Sequence, residues 1–543
     1  MGVKLKITDS LQNLNPETKR IPRLKQITCF ENETVSVQLV AENCGLSLYC
    51  CKIEVKSKLP ARIRRTEYVA GGFTVRKGHD DYILGENVHC FADLLMPLDT
   101  NNFCLKGGRN IFRITLGEGE KLPVGEHTVS VSVYDIDGKR QGNSTSFTVR
   151  VIGESLPESD LFVTNWMHYD SICNYYKTEA FSARFWELAE AYITAAVRHG
   201  INAVYVPLFT PPLDTYVGGE RLTVQLVDVF FENGIYSFGF EKLAKFIEMA
   251  KRCGVKYYEL SHLFTQWGAM CCPKIIVREN GADTKKFGWH TASDGEEYTL
   301  FLQRFLPELG NFLKKQGIYE VSFLHISDEP NESCLEIYGK HKRLVSGLLP
   351  DLKHIDALSD VSFAQRGFVD IPVASTSSAD RFADLNREYW VYYCTSQHTC
   401  NLSNRMMSMP HARNRILGFQ LYLNGVKGFL HWGYNFYNSY LSYRQINPFV
   451  VTDADGSFQS GDSFIVYPAD DGVYDSTRFE VFYEAIQDYR ALMLLEKYIG
   501  REQTVAMLKD EGMSGFTEYP HGSEWLLSMR ERINARIEQE MKR

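Results

Sequence analysis

The sequence lacks the runs of residues that mark nucleic-acid-binding and membrane proteins. Its 543 residues carry a formal net charge of -8, and no block of Lys and Arg provides the electrostatic surface that binds a nucleic-acid backbone. No apolar run approaches the roughly 18 to 20 residues that span a bilayer. The first residues, MGVKLKITDS, lack the apolar core of a secretion signal. We therefore expect a soluble chain with no nucleic-acid partner and no membrane insertion.

Cysteine pairs with metal-ligand spacing are also absent. The 13 cysteines include no Cys-x-x-Cys pair, and the adjacent pairs Cys50/Cys51 and Cys271/Cys272 do not have the spacing of zinc ligands. Free, mostly buried thiols are the expected state, which favours the cytoplasm, although a secreted chain whose signal had been removed would look the same. No His-Glu-x-x-His cluster occurs either, so we predict no metal and no cofactor.

Aromatic residues are abundant, with 30 Tyr and 33 Phe. Sugar rings stack on aromatic faces, so a carbohydrate-binding protein is one explanation of this composition. A large aromatic core is the other, and it is the commoner of the two.

The first 150 or so residues have the pattern of short strands. Glu33 to Asn43 (ETVSVQLVAEN) and His127 to Asp135 (HTVSVSVYD) alternate apolar and polar residues, and an Asp137-Gly138 turn follows the second segment. Repeated short strands with turn signals predict an antiparallel β-sandwich, which we assign to residues 1–155.

After the polar linker GESLPESD, apolar runs of strand length alternate with helical periods. The eight runs are LFVTNWMHYD, NAVYVPL, VKYYELSHLF, YEVSFLHISDEP, KHIDALSD, IPVAST, EYWVYYCTS and VKGFLHWG. This rhythm predicts an α/β fold, a (β/α)8 TIM-type barrel over residues 156–475. An open doubly wound sheet is the alternative, but no Gly-x-Gly-x-x-Gly or Walker sequence follows an early strand. Residues 476–543 are expected to form helices packing on the barrel: an amphipathic helix from about Thr477 to Tyr498 and a final helix near Ser523 to Met541.

The segment FLHISDEP ends the fourth predicted strand on two adjacent acids, Asp328 and Glu329. In a β/α barrel this is the catalytic end, and two adjacent buried carboxylates raise each other's pKa. Neighbouring residues are badly placed to flank a glycosidic bond from opposite sides. They suit the substrate-assisted route instead, in which the sugar's 2-acetamido oxygen attacks the anomeric carbon, Asp328 orients the amide N–H, and Glu329 acts as acid and then base. A helix N-terminus that favours acids is the purely structural explanation.

Several stretches, taken in order, resemble glycoside hydrolase family 123. HISDEP resembles the Asp-Glu catalytic segment of that family, and ETVSVQLV resembles its amino-terminal sandwich. The other similar stretches are YWVYYCTS (389–396), MPHARNRILGFQLYLNGVKGFLHWGYNFYN (409–438), GDSFIVYP (461–468) and STRFEVFYEAIQDYRALMLLE (476–496). The likeness covers nearly the whole chain.

The resemblance implies an exo-acting, retaining β-N-acetylgalactosaminidase that works by the substrate-assisted route through an oxazoline-like intermediate. It carries the roles given above onto Asp328 and Glu329. One departure is the segment YEAIQDY, where the family has an Arg-Glu-Gly-x-Glu-Asp-Tyr run. The implied partner is a glycan or glycolipid with a terminal N-acetylhexosamine. The sequence does not decide between N-acetylgalactosamine and N-acetylglucosamine. It also leaves the aglycone and the oligomeric state open.

Aromatic residues late in the barrel are candidates for sugar binding. Trp390 and Tyr392 are two residues apart and share a face of their strand. They are predicted to wall the acetamido methyl, with the Tyr hydroxyl donating to its carbonyl, and ordinary barrel packing is the alternative. Trp432 ends the eighth strand and is predicted to be a sugar-stacking platform, or otherwise a core Trp.

Residues after the first and third strands give weaker candidates. His262 and Trp267 follow the third strand in SHLFTQWG, and His262 is a candidate hydroxyl-binding group although a lone His is more often structural. Asn165 and Trp166 close the first strand and are expected to border the pocket. His325, just before the acid pair, is expected to be structural.

Two rival hypotheses remain open. Asp356 or Asp360, on or after the fifth strand, could be a classical nucleophile in a hydrolase of another glycoside. Alternatively, the protein is a non-catalytic carbohydrate-binding protein with a degenerate barrel. The intact acid pair argues against the latter, because two buried acids are costly to keep.

Overall fold

The computed structural model describes residues 2–543, and the first part of the chain forms two β-sheets. Their strands are β1 (Val3–Asp9), β2 (Gln26–Phe30), β3 (Val35–Asn43), β4 (Leu48–Lys56), β5 (Ala61–Ala70), β6 (Cys90–Pro97), β7 (Phe103–Leu105), β8 (Gly108–Leu116), β9 (Gly125–Tyr134) and β10 (Thr145–Ile152). The sheet orders are β1-β3-β8-β5-β6 and β2-β10-β9-β4-β7.

The two sheets share one apolar core. Leu39 and Ile114 from the first sheet lie in the same buried cluster as Val131 and Val149 from the second. The predicted antiparallel β-structure at this end of the chain is confirmed, with one departure. Strand β10 pairs with β2 in parallel, over Thr148 to Ile152.

A closed barrel of parallel strands follows, as the alternating pattern predicts. The strands in this region are β11 (Phe162–Asn165), β12 (Ala203–Val206), β13 (Asp228–Glu232), β14 (Ile235–Gly239), β15 (Tyr257–Leu260), β16 (Ile275–Glu279), β17 (Ala282–Phe287), β18 (Ser322–Leu324), β19 (Lys353–Leu358), β20 (Ile371–Ser375), β21 (Trp390–Tyr392) and β22 (Gly428–His431). The barrel order is β11-β12-β15-β18-β19-β20-β21-β22, with β22 pairing back onto β11. Each barrel strand lies within one of the eight predicted runs.

The remaining strands of this region form a small sheet that the sequence did not predict. Its order is β14-β13-β16-β17. Strands β13 and β14 belong to the segment after the second barrel strand, and β16 and β17 belong to the segment after the third. These segments leave the barrel at the carboxyl ends of its strands, where β/α barrels carry their active sites.

Helices alternate with the barrel strands and complete the chain. They are α1 (Tyr169–Tyr176), α2 (Ala183–Arg198), α3 (Glu241–Arg252), α4 (Glu296–Lys315), α5 (Leu335–Leu348), α6 (Ser362–Gln365), α7 (Ala379–Ala383), α8 (His411–Arg415), α9 (Leu417–Leu423), α10 (Thr477–Ile499), α11 (Arg501–Asp510) and α12 (Ser523–Met541). A hairpin of β23 (Val466–Ala469) and β24 (Gly472–Asp475) precedes α10.

Helix α10 is buried on nearly every face, whereas the sequence pattern indicated an amphipathic helix. Its carboxylates explain the difference, because they are paired inside the protein. Arg113 on β8 donates to Glu484 at 2.9 Å, and Arg415 on α8 donates to Glu484 at 2.8 Å and to Asp488 at 2.7 Å. Buried carboxylates are tolerated when they are paired and hydrogen-bonded. Helix α10 thus joins the N-terminal sheets to the barrel.

The departure YEAIQDY from the family pattern lies on α10. Its Glu484 and Asp488 make the ion pairs just described, and Gln487 bonds both the N–H and the carbonyl of Thr34. These contacts lie outside the cavity described below.

Two further expectations concern the whole chain. All thirteen cysteines are free thiols, as expected, but only five of them are buried, so the expectation of mostly buried thiols is wrong. No helix of residues 2–543 has both the length and the apolar character required to cross a membrane. The division of the chain at residues 155 and 475 stays a prediction.

Candidate active site

A cavity of about 160 Å³ opens at the carboxyl ends of the barrel strands. Its lining comes from the strand ends and from the segments that follow them. The lining residues are Trp166, Leu213, Asp214, Gln266, Trp267, Asp328, Glu329, Ala357, Tyr392, Cys394, Thr395, Ser396, Leu430, Trp432, Tyr440, Phe458 and Asp462. Six of the nine predicted site residues are among them.

The acid pair lies on the wall of this cavity, after the end of β18. Glu329 has a left-handed backbone, with φ of 43°, and an exposed side chain. The Tyr392 hydroxyl donates to Glu329 Oε1 at 2.6 Å, and the Trp267 N–H donates to the Asp328 carbonyl at 2.9 Å. A positive φ at a residue other than glycine is strained and persists only when its surroundings hold it. The structure therefore fixes the Glu329 carboxylate at a defined place in the cavity.

Asp328 differs from its neighbour in its environment. Burial of the carboxyl and the nearby charge of Glu329 raise the pKa of Asp328 well above its ordinary value, while the charge of His325 lowers it. The ionised form of Asp328 is therefore costly in the free protein. A hydrogen-bond donor placed against this carboxylate would favour ionisation.

A fully buried charge network lies beneath the acid pair. His325 Nε2 bonds Glu259 Oε1 at 2.6 Å, and His325 Nδ1 bonds Asp356 Oδ1 at 2.9 Å. Burial lowers the pKa of His325, but the hydrogen bonds and charges of Asp356 and Glu259 outweigh it and raise that pKa to about 9. His325 is therefore an imidazolium between two carboxylates at neutral pH, in keeping with its expected structural role.

Asp356 is badly placed to be a nucleophile. Its side chain has no exposed surface, and besides His325 it accepts the Tyr338 hydroxyl and the N–H of Ile326 at 3.2 Å. Asp356 therefore fixes the chain that leads to the acid pair. Asp360 accepts the N–H of Ser362 at 2.9 Å and does not line the cavity. The expectation that one of the two could serve as nucleophile is corrected by these contacts.

Trp390 and Tyr392 do not wall one pocket, which corrects the predicted pairing. Tyr392 lines the cavity, but the Trp390 ring stacks on Phe162 at 4.2 Å and packs edge-on against Phe323 at 5.2 Å. Both of these Phe residues lie at or near the starts of their strands. Two residues advance about 6.6 Å along a strand, so side chains on one face still lie at different depths. Gly428 leaves room for the Trp390 ring, since a Cβ there would lie 2.2 Å from it.

Trp432 and Trp267 line the cavity from two sides. Trp432 is partly exposed, and its ring is fixed between the edges of Phe436 at 5.1 Å and Phe458 at 5.2 Å. Its Nε1–H donates to Asp462 Oδ2 at 3.1 Å. Trp267 is 44% exposed and has a φ of 59°. Both rings are placed where a sugar could stack, and their binding role stays a prediction.

Trp166 and Asn165 are both buried, but only Trp166 lines the cavity. Trp166 is buried at the base of the cavity and donates to Glu259 Oε1 at 2.7 Å. Asn165 does not line the cavity, and its Oδ1 accepts from Arg405 Nη1. The predicted bordering position therefore holds for Trp166 and is wrong for Asn165.

His262 is a buried barrel residue and does not line the cavity, contrary to its predicted role as a hydroxyl-binding group. Its Nδ1 bonds the Tyr205 hydroxyl at 2.9 Å, and its ring stacks on His325 at 4.2 Å. Burial and the charge of His325 hold the pKa of His262 well below its ordinary value. Together with Asp356, the two His side chains have the spacing of metal ligands. Because both nitrogens of His325 already bond carboxylates, the cluster is a hydrogen-bonded charge network.

Asp214 lines the cavity and was missed by the sequence reasoning. It follows β12 with a left-handed φ of 41°. Its N–H donates to Gln266 Oε1 at 2.6 Å, and its Oδ2 accepts the N–H of Leu441 at 3.0 Å. Burial raises the pKa of Asp214 to about 7. The segment VPLFTPPLDT has no periodicity that could have singled this residue out.

Asp462 is the second missed carboxylate. It is fully buried against Trp432, and burial raises its pKa to about 7 while Arg405 opposes the rise. Its one available signal was an acid inside the apolar motif GDSFIVYP, after the barrel.

Comparisons with known proteins identify the family of the chain and support its fold. A model of the glycoside hydrolase 123 catalytic domain matches residues 166–495, which is more than half of the chain. The structure is similar to a family 123 glycoside hydrolase from Clostridium perfringens, with a TM-score of 0.72, 12% sequence identity and coverage of 100% of this chain and 98% of that one.

A second solved structure is a family 39 glycoside hydrolase from Bacteroides cellulosilyticus WH2, with a TM-score of 0.32, 10% identity and coverage of 85% of this chain and 81% of that one. No curated protein was found that matches the chain. The family match makes the protein a glycoside hydrolase with a carbohydrate substrate. The chain therefore belongs to glycoside hydrolase family 123.

Proposed function

We propose that the enzyme removes terminal β-linked N-acetylgalactosamine, acting from the chain end and retaining the anomeric configuration. The nucleophile is the 2-acetamido oxygen of the substrate itself. The observation that carries this proposal is the adjacency of Asp328 and Glu329 on one wall of the cavity. Two consecutive carboxylates cannot flank the anomeric carbon from opposite faces, whereas one acid and one amide-orienting group are needed side by side.

In the first step, Asp328 accepts the hydrogen bond of the acetamido N–H, which increases the electron density on the amide oxygen. That oxygen attacks the anomeric carbon while Glu329 donates a proton to the departing glycosidic oxygen. The products of this step are the aglycone alcohol and an oxazolinium ion. In the second step, Glu329 takes a proton from water, which opens the ring and restores the β-configuration.

Tyr392 supports Glu329 in both steps. Its hydroxyl donates to Glu329 Oε1 at 2.6 Å, and burial raises its pKa well above the ordinary value. Tyr392 is therefore a neutral donor at working pH, and it leaves Glu329 Oε2 to face the glycosidic oxygen.

The size of the cavity favours action at a chain end. Its volume of about 160 Å³ is below the roughly 300 to 1,000 Å³ of sites that hold drug-sized ligands. One sugar ring with its acetamido group suits this space better than an internal segment of a glycan.

We infer the sugar and the aglycone from the family to which the chain belongs. The Clostridium perfringens enzyme was studied for glycolipid glycan hydrolysis. A glycolipid or glycan with a terminal N-acetylgalactosamine is therefore the natural substrate that we propose for this chain.

The test uses four aryl β-glycosides that share one leaving group: N-acetylgalactosaminide, N-acetylglucosaminide, galactoside and glucoside. We expect turnover of the acetamido sugars alone, with the first preferred. Glu329→Gln should remove turnover when the leaving group is poor. Glu332→Gln is the matched control, since Glu332 is exposed three residues later and does not line the cavity.

Turnover of the plain galactoside or glucoside by the wild type would favour a protein nucleophile, for which Asp214 and Asp462 are the carboxylates outside the acid pair that line the cavity. Binding of these sugars without any turnover would support the non-catalytic alternative.

A further inference from the structure

Two carboxylates of the cavity have no part in the chemistry described above. Asp328 follows β18, the fourth strand of the barrel order, whereas Asp462 is bonded to Trp432, which directly follows the eighth strand, β22. Positions four strands apart in a ring of eight face each other. Asp462 is therefore on the opposite side of the cavity from Asp328.

Asp462 is only partly engaged by the protein. Oδ2 accepts from Trp432 Nε1 at 3.1 Å, whereas Oδ1 is buried and has no hydrogen-bond partner among residues 2–543. The nearest basic group is His431 Nε2 at 3.5 Å from Oδ1, which is longer than a normal hydrogen bond. An ionised carboxylate offers about four acceptor sites, so the protein leaves part of the acceptor capacity of Asp462 unfilled.

Nearby positive charge does not fill that capacity. The Arg405 guanidinium donates instead to Asn165 Oδ1, to His431 Nδ1 at 2.7 Å, and to the carbonyl of Gly433. Arg405 therefore contributes charge to Asp462 without occupying its oxygens.

Hydrogen bonds and left-handed backbone angles fix the position of Asp214. Besides the bonds from its own N–H and to Leu441, its carbonyl accepts the Ser442 hydroxyl at 2.7 Å. Leu441 and Ser442 also have left-handed φ values, of 53° and 56°. Strained residues that hold each other in this way are typical of functional sites. Oδ1 of Asp214 makes no hydrogen bond within the described chain, and Asp214 lines the cavity.

Sugar hydroxyls are the substrate groups that can donate to the carboxylate oxygens of Asp462 and Asp214. If Asp328 bonds the acetamido group on C2 and Glu329 contacts the glycosidic oxygen on C1, the 3-, 4- and 6-hydroxyls lie on the other side of the ring. Hydroxyls are donors, and hydrogen bonds to a charged acceptor are the stronger kind. Trp432 is fixed between two Phe rings and can carry the apolar face of the same sugar.

We propose that Asp462 binds a ring hydroxyl of the terminal sugar on the side away from the anomeric carbon, that Asp214 binds a different ring hydroxyl, and that Asp462 sets the preference among hydroxyl configurations. This inference rests on the proposed function for the orientation of the sugar. Both residues touch substrate and neither takes part in proton transfer.

The test combines variants with substrates that each lack one hydroxyl. Asp462→Asn, Asp214→Asn and the control Asp360→Asn are measured with an aryl β-N-acetylgalactosaminide and with its 3-deoxy, 4-deoxy and 6-deoxy analogues. If the wild type turns over another glycoside instead, the analogues of that glycoside are used. If it turns over none, the affinities of the free sugar and its deoxy forms are measured by calorimetry.

We expect Asp462→Asn to lower kcat/KM for the parent substrate by about 10- to 100-fold. On the analogue that lacks the hydroxyl bonded by Asp462, the same substitution should cause almost no further loss of kcat/KM. Asp214→Asn should behave in the same way toward a different hydroxyl, and Asp360→Asn should match the wild type throughout.

An equal loss on every analogue would overturn the proposal, because it would mean that the carboxylates act without contacting a hydroxyl. A loss confined to kcat in Asp214→Asn, the same for all analogues, would instead make Asp214 a nucleophile and would contradict the proposed function as well. Melting temperatures of the three variants, expected within a few degrees of the wild type, separate these outcomes from misfolding.

Discussion

The two ends of the barrel interior are built from the same strands but have opposite chemistry. At the amino end, Phe162, Phe323 and Trp390 pack into an aromatic cluster, and the Trp390 indole N–H donates to Glu388 Oε1 at 3.0 Å. At the carboxyl end lie Asp328 and Glu329, above a buried ion network. A strand face therefore predicts which side chains point inward, while the depth along the barrel decides whether they build a core or a site.

The two ends of the barrel also differ in how the burial of their side chains affects the stability of the fold. Burying an aromatic ring stabilises the fold, whereas burying a carboxylate destabilises it unless the charge is paired. The raised pKa values of Asp328, Asp214 and Asp462 are the mark of that cost at the carboxyl end. Substitutions at the two ends should accordingly separate activity from stability.

The largest effect is expected from Asp328→Asn. We predict a loss of about 10²- to 10⁴-fold in kcat/KM, since the amide can no longer accept the acetamido N–H as a carboxylate does. The melting temperature should stay the same or rise, because the amide replaces a carboxyl whose ionised form is costly at this position. Steady-state kinetics and thermal unfolding check both parts, and an unchanged kcat/KM would refute the role of Asp328.

Trp390→Ala should give the opposite result at the other end of the barrel. Removing a buried Trp typically costs about 3 to 5 kcal/mol of stability. The folded enzyme should nevertheless keep its kcat/KM, measured well below its melting temperature. Trp432→Ala is the companion variant, expected to lose activity with a smaller loss of stability. If Trp390→Ala selectively raised KM, Trp390 would belong to the site after all.

The ion network beneath the acid pair should make stability depend on pH through His325. Its folded pKa of about 9 lies above the ordinary value of 6.5. The imidazolium therefore stabilises the fold fully below pH 6.5, and this contribution, about 3 kcal/mol, is lost as the pH rises through 9. The difference in melting temperature between the wild type and His325→Gln should be largest at pH 6 and shrink toward pH 9. A difference that is constant across this range would show that His325 carries no charge.

The smallest effect is expected from Tyr392→Phe, which removes one hydrogen bond to Glu329 and leaves the ring in place. We predict a loss of about tenfold in kcat/KM with little change in stability. A variant with wild-type kinetics would mean that the 2.6 Å contact is unimportant for catalysis.

The sequence predicted the fold better than it predicted the site. Each run of strand length became a barrel strand because parallel strands buried on both sides have continuous apolar patterns. The small sheet of β13, β14, β16 and β17 was missed because its two hairpins are separated by α3 and β15. Pairing across such a distance leaves no local signal.

The predicted residues that line the cavity lie on a barrel strand or shortly after one, whereas the residues that were missed lie on loops that return to the cavity. Asp328 and Glu329 follow β18, so strand order alone placed them. Asp214 and Asp462 reach the cavity through contacts with Leu441 and Trp432, which no spacing in the sequence reveals. Trp390 was misplaced because alternation gives the face of a strand and not the depth.

The most direct test of the central claim changes the substrate rather than the enzyme. Aryl β-N-acetylgalactosaminides whose acetyl group carries none, one, two or three fluorine atoms differ mainly in the nucleophilicity of the amide oxygen. If that oxygen attacks the anomeric carbon while Asp328 holds its N–H, kcat/KM should fall steeply with each fluorine. A rate that does not depend on fluorination would show that the acetamido group is a bystander and that a protein carboxylate is the nucleophile.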